Sequence, residues 1–319
     1  MEFRILRYDD SKNNEWDAFV GSEALGTLYH TRRFLEYHPT DRFQDASILV
    51  YSDKQLACVL PCCRRGERYF SHSGATFGGP VIRRDLCRAR HIFPLVQAIV
   101  DHYKGKIDLR LASQVYHINS EPSLVWCAFG LHGSVRFELS WYTETSVQLV
   151  DKMRNKKNRK ELAKLVTDPG MNVSVAVDDA QYAAFHALLS EVLLVKHGTA
   201  PTHLLSELLE FRQRLTARQS LHILEHKGLL IAGVFVLHVT DNAWYTVYPV
   251  SRDGGNGAAL ALCIQHVLDA AHREGVNYLD YGISTEDRGT HVNLGLSVFK
   301  QDTLCGKPHA RYLFEGNKE

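Results

Sequence analysis

The sequence lacks the features that would place the chain in a membrane or export it. Its 319 residues contain no run close to the roughly 18 apolar residues of a membrane span. The first ten residues, MEFRILRYDD, have no apolar core of the kind found in signal peptides. An apolar share of 45% is ordinary for a soluble globular chain. We therefore expect a cytoplasmic protein with no membrane span.

The chain also lacks an excess of charge and a metal-binding cysteine pattern. Its 37 Lys and Arg and 36 Asp and Glu leave a net charge of +1, which gives no global signature of nucleic-acid binding. Seven cysteines are present, but no paired C-x-x-C clusters accompany Cys58, Cys62 and Cys63. We expect these three to be small buried strand residues, and we expect no metal cofactor.

Four common catalytic or nucleotide-binding features are missing as well. There is no G-x-S-x-G nucleophile elbow, and no cysteine lies in a recognisable context beside a histidine, which disfavours covalent catalysis. The glycine-rich segment 252–258 is not followed by the Lys-Ser/Thr of a P-loop. The strand before it belongs to an antiparallel meander, which excludes a dinucleotide-binding βαβ unit.

What the sequence does contain is the same order of elements in both halves. In each half, two strands joined by a tight turn are followed by a glycine-rich stretch, a helix and a closing strand. The two sets are related by an offset of about 170–175 residues. Any α/β protein shows some similarity of this kind between its halves, but the constant offset favours a duplication. We predict an α/β fold with mixed sheets, made of an N-terminal unit at 1–145 and a C-terminal unit at 146–319.

The loop at 252–257 joins a strand to an amphipathic helix in the C-terminal unit. Glycines let the backbone approach a ligand, and the free N–H groups of a helix start favour an anion such as pyrophosphate. A plain glycine-rich turn is the alternative. The residues predicted to bind a cofactor with such an anionic group are Arg252, Gly254, Gly255, Asn256, Gly257 and Tyr248.

A dense polar stretch follows the closing strand of the same unit. Lys300 comes after an apolar segment that should pack down, so its ammonium is predicted to be held in place to stabilise developing negative charge. Asp280 or Glu286 is predicted to act as a general base, and His291 is a rival base. For each of them, a loop salt bridge or a core hydrogen bond is the structural alternative.

Aromatic and polar residues of both halves are candidates for contact with substrate. Tyr245 and Tyr248 lie on the strand before the glycine-rich loop and could line a pocket, but aromatic strand residues are more often part of the core. The basic segment 153–164 could face phosphates, although such a run is usually a solvated helix face. The predicted substrate-binding residues are Tyr29, Arg33, His72, Tyr245, Tyr281 and Asn293.

Several segments resemble the Fem-type aminoacyltransferases: the N-x-G-L-x-x-F-K pattern at Asn293–Lys300, the basic Met153–Lys164 and the loop Phe77–Asp85. Trp16, Phe19 and the segment Gly26–Phe34 resemble the opening of the related CelD-like acetyltransferases. The resemblance implies two GNAT (Gcn5-related N-acetyltransferase) units and acyl transfer to an amine, and it supports the role given to Lys300. The family's loop arginine is replaced here by Gly78 or Gly79, and the helical arm used for transfer RNA is absent.

The expected function is that of an N-acyltransferase with acyl-CoA, such as acetyl-CoA, as co-substrate. The acceptor would be an amine of a sugar, an amino acid or a cell-envelope precursor. An aminoacyl-tRNA-dependent Fem-type enzyme and a non-catalytic binding homologue are the alternatives. The first copy would form the acceptor side and the second the donor site.

Overall fold

The fold is described from a computed structural model, for residues 2–23, 25–39, 41–117, 133–252 and 257–316. The chain divides into two compact units, and both are mixed α/β as predicted. The first comprises Met1–Glu138, Asp287–Gly289 and Ala310–Glu319, and the second Leu139–Glu286 and Thr290–His309. A division into two sequence copies at residue 145 stays a prediction.

The strands are β1 (Arg4–Arg7), β2 (Gln44–Asp45), β3 (Ile48–Ser52), β4 (Gln55–Leu60), β5 (Cys63–Arg65), β6 (Arg68–Phe70), β7 (Val81–Ile82), β8 (Ile107–Arg110), β9 (Ser134–Glu144), β10 (Met171–Val175), β11 (Gln219–His226), β12 (Leu229–Leu237), β13 (Ala243–Ser251), β14 (Tyr278–Ile283), β15 (Thr285–Glu286), β16 (His291–Val292) and β17 (Lys307–Glu315). The α-helices are α1 (Asn13–Ser22), α2 (Arg32–Leu35), α3 (Ala89–His102), α4 (Leu149–Lys152), α5 (Lys156–Thr167), α6 (Asp179–His197), α7 (Leu205–Arg214), α8 (Ala258–Arg273) and α9 (Leu294–Val298). A π-helical turn at Phe299–Thr303 follows α9 directly.

The first unit contains an antiparallel sheet in the order β1-β3-β4-β7 and a second group of strands around β8. There β6 runs parallel to β8, and the C-terminal part of β17 runs antiparallel to it. Helix α3 has apolar residues at a spacing of three to four, which gives it one buried face. That face packs in one core with Ile107 and Leu109 of β8 and Phe314 of β17.

The second unit has strands in the order β10-β11-β12-β13-β14-β9. All neighbours in this series are antiparallel except β13 and β14, which are parallel. Helix α8 packs against the sheet, and its alanines and leucines are strong helix formers. The predicted buried face is confirmed, with Leu260, Ile264, Val267, Leu268 and Ala271 all buried. The helix ends before Gly275, whose φ of +77° is the left-handed conformation of a helix-terminating glycine.

The cysteines predicted to be buried are buried. Cys58 lies on β4 and Cys63 on β5, while Cys62 lies between these strands and not on one. Among the described residues, no group of three or more His, Cys, Asp or Glu side chains is arranged to hold a metal ion. The same residues include no helix that is both long and apolar enough to cross a bilayer.

Candidate active site

The parallel strands β13 and β14 of the second unit stay paired over a short length only. Their register runs from Ala243 opposite Tyr278 to Tyr245 opposite Asp280. The register of β12 and β13 shifts next to this point, so that Val247 faces no partner. Such a bulge bends a strand and ends its pairing. The two strands therefore part just after Tyr245 and Asp280.

A glycine in β14 marks the place where the strands part. Gly282 has a φ of +75°, and a Cβ atom there would lie 2.6 Å from the hydroxyl of Tyr245. Both the backbone conformation and the lack of space require glycine at this position. The hydroxyl of Tyr245 consequently lies against the backbone of β14.

Asp280 is buried, with only 3% of its surface exposed. Its Oδ1 accepts hydrogen bonds from the Gly282 N–H at 2.7 Å and the Ser140 hydroxyl at 3.0 Å. Its Oδ2 lies 3.4 Å from Nε2 of His309. Sequence analysis missed Ser140 and His309, because they come from β9 and β17 and no local motif marks them.

Lys300 is also buried, with 6% of its surface exposed. Its ammonium donates to the carbonyl oxygens of Gly282 at 2.9 Å and Ile283 at 2.7 Å. Gly282 therefore makes two hydrogen bonds: its N–H donates to the carboxylate of Asp280, and its C=O accepts from the ammonium of Lys300. Two residues predicted to be catalytic meet at one glycine, which holds a carboxylate and an ammonium at the same end of β14.

Glu286 and His291 do not join this buried cluster. They lie opposite each other on the exposed hairpin of β15 and β16. Glu286 accepts a hydrogen bond from the Asn293 amide at 3.1 Å, and a ring nitrogen of His291 lies 3.0 Å from the Thr290 hydroxyl. The Asn293 side chain also caps α9. All three residues therefore make local hydrogen bonds, and their roles in catalysis and substrate binding stay predictions.

The start of α8 is built around Gly257. This residue is the N-cap, with a φ of +67°, and no side chain caps the helix there. A Cβ atom on Gly257 would lie 2.7 Å from the Phe299 ring and 3.3 Å from the Asn158 amide nitrogen. The close packing leaves the first N–H groups of α8 without a capping side chain among the described residues.

The other predicted donor-side residues have protein partners or lie outside the described ranges. Arg252 is exposed, and one of its guanidinium nitrogens bonds both carboxylate oxygens of Glu191 at 2.7 and 2.8 Å. The hydroxyl of Tyr248 is hydrogen-bonded to a ring nitrogen of His203. Gly254, Gly255 and Asn256 lie outside the residues that the structure describes.

The predicted substrate-binding residues fall into different environments. Tyr29 is buried edge-on against the rings of Phe34 and Phe77, which is core packing. Tyr281 is buried with its hydroxyl 3.4 Å from the Leu304 carbonyl, and burial raises its pKa. Arg33 is exposed. Burial lowers the pKa of His72 to about 4, so its imidazole is neutral near pH 7.

Known proteins resemble the chain in the fold and in one domain. Residues 152–288 match the family model of the acetyltransferase (GNAT) domain. The chain is similar in structure to FemX, with a TM-score of 0.68 at 13% identity over 99% of this chain and 98% of that chain. L-PGS from Bacillus licheniformis gives a TM-score of 0.58 at 14% identity, over 98% and 93% of the two chains.

A tandem GNAT protein from the clavulanic acid biosynthesis pathway has the same fold. Its TM-score is 0.54 at 11% identity, over 99% of this chain and 98% of that chain. At these identities the likeness concerns the fold. No curated protein matches the chain in sequence.

Fold and domain match together define an acyltransferase of the GNAT class. The chain contains a GNAT acetyltransferase domain at residues 152–288, and its fold is similar to that of FemX. The fold and the GNAT domain that the resemblance implies are therefore confirmed.

Proposed function

We propose that the second unit transfers an acyl group from acyl-CoA to an amine of a sugar, an amino acid or a cell-envelope precursor. The observation that carries this proposal is the separation of β13 from β14 in the unit that holds the GNAT domain match. A thioester arm needs an opening lined by backbone donors, and two parting parallel strands provide one.

The start of α8 is the proposed site for the donor's pyrophosphate. Its first turn, from Ala258 to Leu260, carries small or apolar side chains and no acidic residue. N–H groups at a helix start attract an anion by hydrogen bonding and by the helix dipole. In this proposal Arg252 exchanges its contact with Glu191 for a phosphate when the donor binds.

The proposed reaction uses the cluster around Gly282. The amine nitrogen attacks the thioester carbon, its proton passes to Asp280 directly or through His309, and the carbon–sulfur bond breaks. The positive charge of Lys300 stabilises the oxyanion that forms on the carbonyl. The thiolate of CoA takes a proton from the hydroxyl of Tyr245, which lies where the strands part, and the proton held by Asp280 then returns to Tyr245 through solvent.

A thermal-shift series with acetyl-CoA, longer acyl-CoAs and free CoA tests the donor class. A ligand at a hundred times its Kd stabilises the folded protein by about 2.7 kcal/mol. With an unfolding entropy of about 2.1 cal/mol/K per residue, we expect the Tm of a chain of this size to rise by about 4 °C. No shift with any CoA would contradict the proposal.

Lys300→Ala tests the proposed chemistry separately from binding. We expect turnover to fall by about 100-fold or more while the Kd for acyl-CoA changes little. Lys307→Ala is the matched control, because Lys307 pairs with Glu144 on the surface of the same unit. Equal losses of binding and turnover in Lys300→Ala would show that the oxyanion role is wrong.

A second candidate donor is an aminoacyl-tRNA, and one observation favours it. Lys156, Lys157 and Lys160 lie on the exposed face of α5, opposite the buried Asn158 and Leu162. A basic helix face attracts phosphates. Binding to transfer RNA that weakens steeply with salt, together with no CoA-induced shift, would support this candidate.

A further inference from the structure

We propose that the first unit binds a small zwitterion of the α-amino acid class in a cavity over β8. The cavity has a volume of about 80 Å3 and is lined by residues at one end of β6, β8 and β17. Its charged walls are Asp108, Arg110, Arg288 and Glu315, and Phe70 and Leu313 add apolar surface. This proposal rests on the first unit alone and does not depend on the function proposed for the second.

The alternation of β8 explains why charges gather at this cavity. Ile107 and Leu109 point into the core with α3, so Asp108 and Arg110 point to the opposite face of the sheet. In β17, Glu315 lies opposite Asp108 and Leu313 lies opposite Arg110. Two carboxylates and one guanidinium are therefore fixed on neighbouring strands, on the face turned away from the core.

Arg288 completes this set of charges from a separate segment. Its guanidinium donates to Oε1 of Glu315 at 2.7 Å and lies 3.8 Å from Oδ2 of Asp108. Arg68 holds the other oxygen of Asp108 at 2.5 Å. Glu315 is almost fully buried, with 4% of its side chain exposed, and a carboxylate so deep requires such partners.

The backbone that carries Arg288 is strained. Asp287, Arg288 and Gly289 have φ values of +48°, +56° and +87° in succession. A non-glycine residue in this region costs about 1–2 kcal/mol, and a Cβ atom on Gly289 would collide with the carbonyl oxygen of Phe137. Strain of this kind persists where the surroundings hold it, often at ligand sites. Here the left-handed backbone places the guanidinium of Arg288 at the cavity wall.

The chemistry of the lining selects the class of ligand. The charged side chains that line the cavity are two guanidinium groups and two carboxylates, and His72 in its wall is neutral near pH 7. A zwitterion can pair with both kinds of group at once, whereas a ligand with a single charge can pair with only one kind. Its carboxylate fits the planar fork of an arginine, and its ammonium fits the carboxylates.

The size of the cavity agrees with a small ligand. A volume of about 80 Å3 is several times the roughly 10–15 Å3 that admits one water, so a molecule of a few non-hydrogen atoms fits. This corresponds to glycine or alanine, with the methyl group of alanine against Phe70 or Leu313.

Isothermal titration of the full chain with glycine and L-alanine tests the proposal. We expect saturable binding of both amino acids, and at least tenfold weaker binding of acetate and methylamine, which each carry half of the zwitterion. Arg288→Gln and Asp108→Asn should each weaken glycine binding at least tenfold. Arg83→Gln is the matched control, because Arg83 pairs with Asp85 outside the cavity of the same unit. An unchanged Tm establishes that each variant is folded.

Three outcomes would overturn the proposal. They are no saturable binding, equal binding of acetate or methylamine, and binding that survives both Arg288→Gln and Asp108→Asn. Loss of glycine binding in Asp280→Asn but not in Arg288→Gln would place the amino acid in the second unit and also contradict it. The CoA-induced shift measured on the same samples reports on the other proposal, so the two can fail independently.

Discussion

The two units place an aspartate at the same point of a parallel strand pair. In the first, Phe70 opposite Asp108 ends the pairing of β6 with β8; in the second, Tyr245 opposite Asp280 ends that of β13 with β14. The preceding strand residue is fully buried in both cases. The two aspartates differ in their partners: guanidinium groups surround Asp108, whereas an N–H group, a hydroxyl and an imidazole surround Asp280.

This difference shows how one backbone position can serve two kinds of chemistry. Guanidinium partners remain charged at all physiological pH values, and this suits the site around Asp108 to binding a charged ligand. The partners of Asp280 include a titratable imidazole, which suits a group that gains and loses a proton. The helices differ as well, since α8 starts after the left-handed Gly257 and α3 starts after the extended Arg88.

The largest expected effect separates the two aspartates. Asp280→Asn should lower turnover by about 100-fold, because general base catalysis is typically worth this much or more. Asp108→Asn should instead weaken amino-acid binding and leave the Kd for acyl-CoA unchanged. Steady-state kinetics and titration of both variants measure this. An equal loss of turnover in both variants at unchanged acyl-CoA affinity would remove the distinction between the units.

A smaller effect is expected at the two ends of α8. Gly257→Ala should lower acyl-CoA affinity at least tenfold and destabilise the fold by about 1–3 kcal/mol, since the left-handed φ and the Phe299 ring both oppose a Cβ atom. Gly275→Ala meets open space and is strained by its φ alone, so we expect a loss of about 1 kcal/mol and unchanged donor affinity. Equal donor affinities in the two variants would argue against a donor site at the start of α8.

The smallest effect concerns acid stability, in which we expect the units to behave alike. Burial lowers the pKa of His30 in the first unit and of His222 in the second to about 3. Below about pH 6.5 these histidines bind protons in the unfolded chain but not in the folded one. The free energy of unfolding therefore decreases as the pH is lowered from about 6.5 to about 3.

Replacing either histidine should reduce this pH dependence. His30→Gln and His222→Gln should each remove about 2 kcal/mol of the stability difference between about pH 7.5 and about pH 5, measured by urea unfolding. A variant that keeps the full pH dependence would show that its histidine is protonated in the fold.

Sequence patterns predicted the scaffold of the candidate site well. The buried face of α8 and the strand that carries Asp280 follow from apolar periodicity, which depends on neighbours a few residues apart. Asp280 and Lys300 were both selected as polar residues next to apolar segments. Their meeting at Gly282 could not be predicted, because it depends on a hydrogen bond between a side chain and the backbone 18 residues away.

The catalytic roles of Glu286 and His291 stay predictions. Their place on an exposed hairpin, outside the cluster at Gly282, could not be predicted because it depends on how β15 and β16 pair. His309 lay unnoticed in a strand whose pairing partners are distant in sequence. The succession of left-handed residues at Asp287–Gly289 depends on contacts with Glu315 and Phe137 that no local pattern encodes.

Strand β17 has a consequence for biosynthesis. Its residues 310–315 belong to the first unit, about 170 residues after the end of that unit's main segment at Glu138. At about 5–20 residues per second, a ribosome takes roughly 10–30 s to make the intervening chain. During this time β8 has an open edge, which invites aggregation unless another chain or a chaperone covers it. A nascent chain stalled near residue 145 should therefore be a better chaperone client than the finished protein.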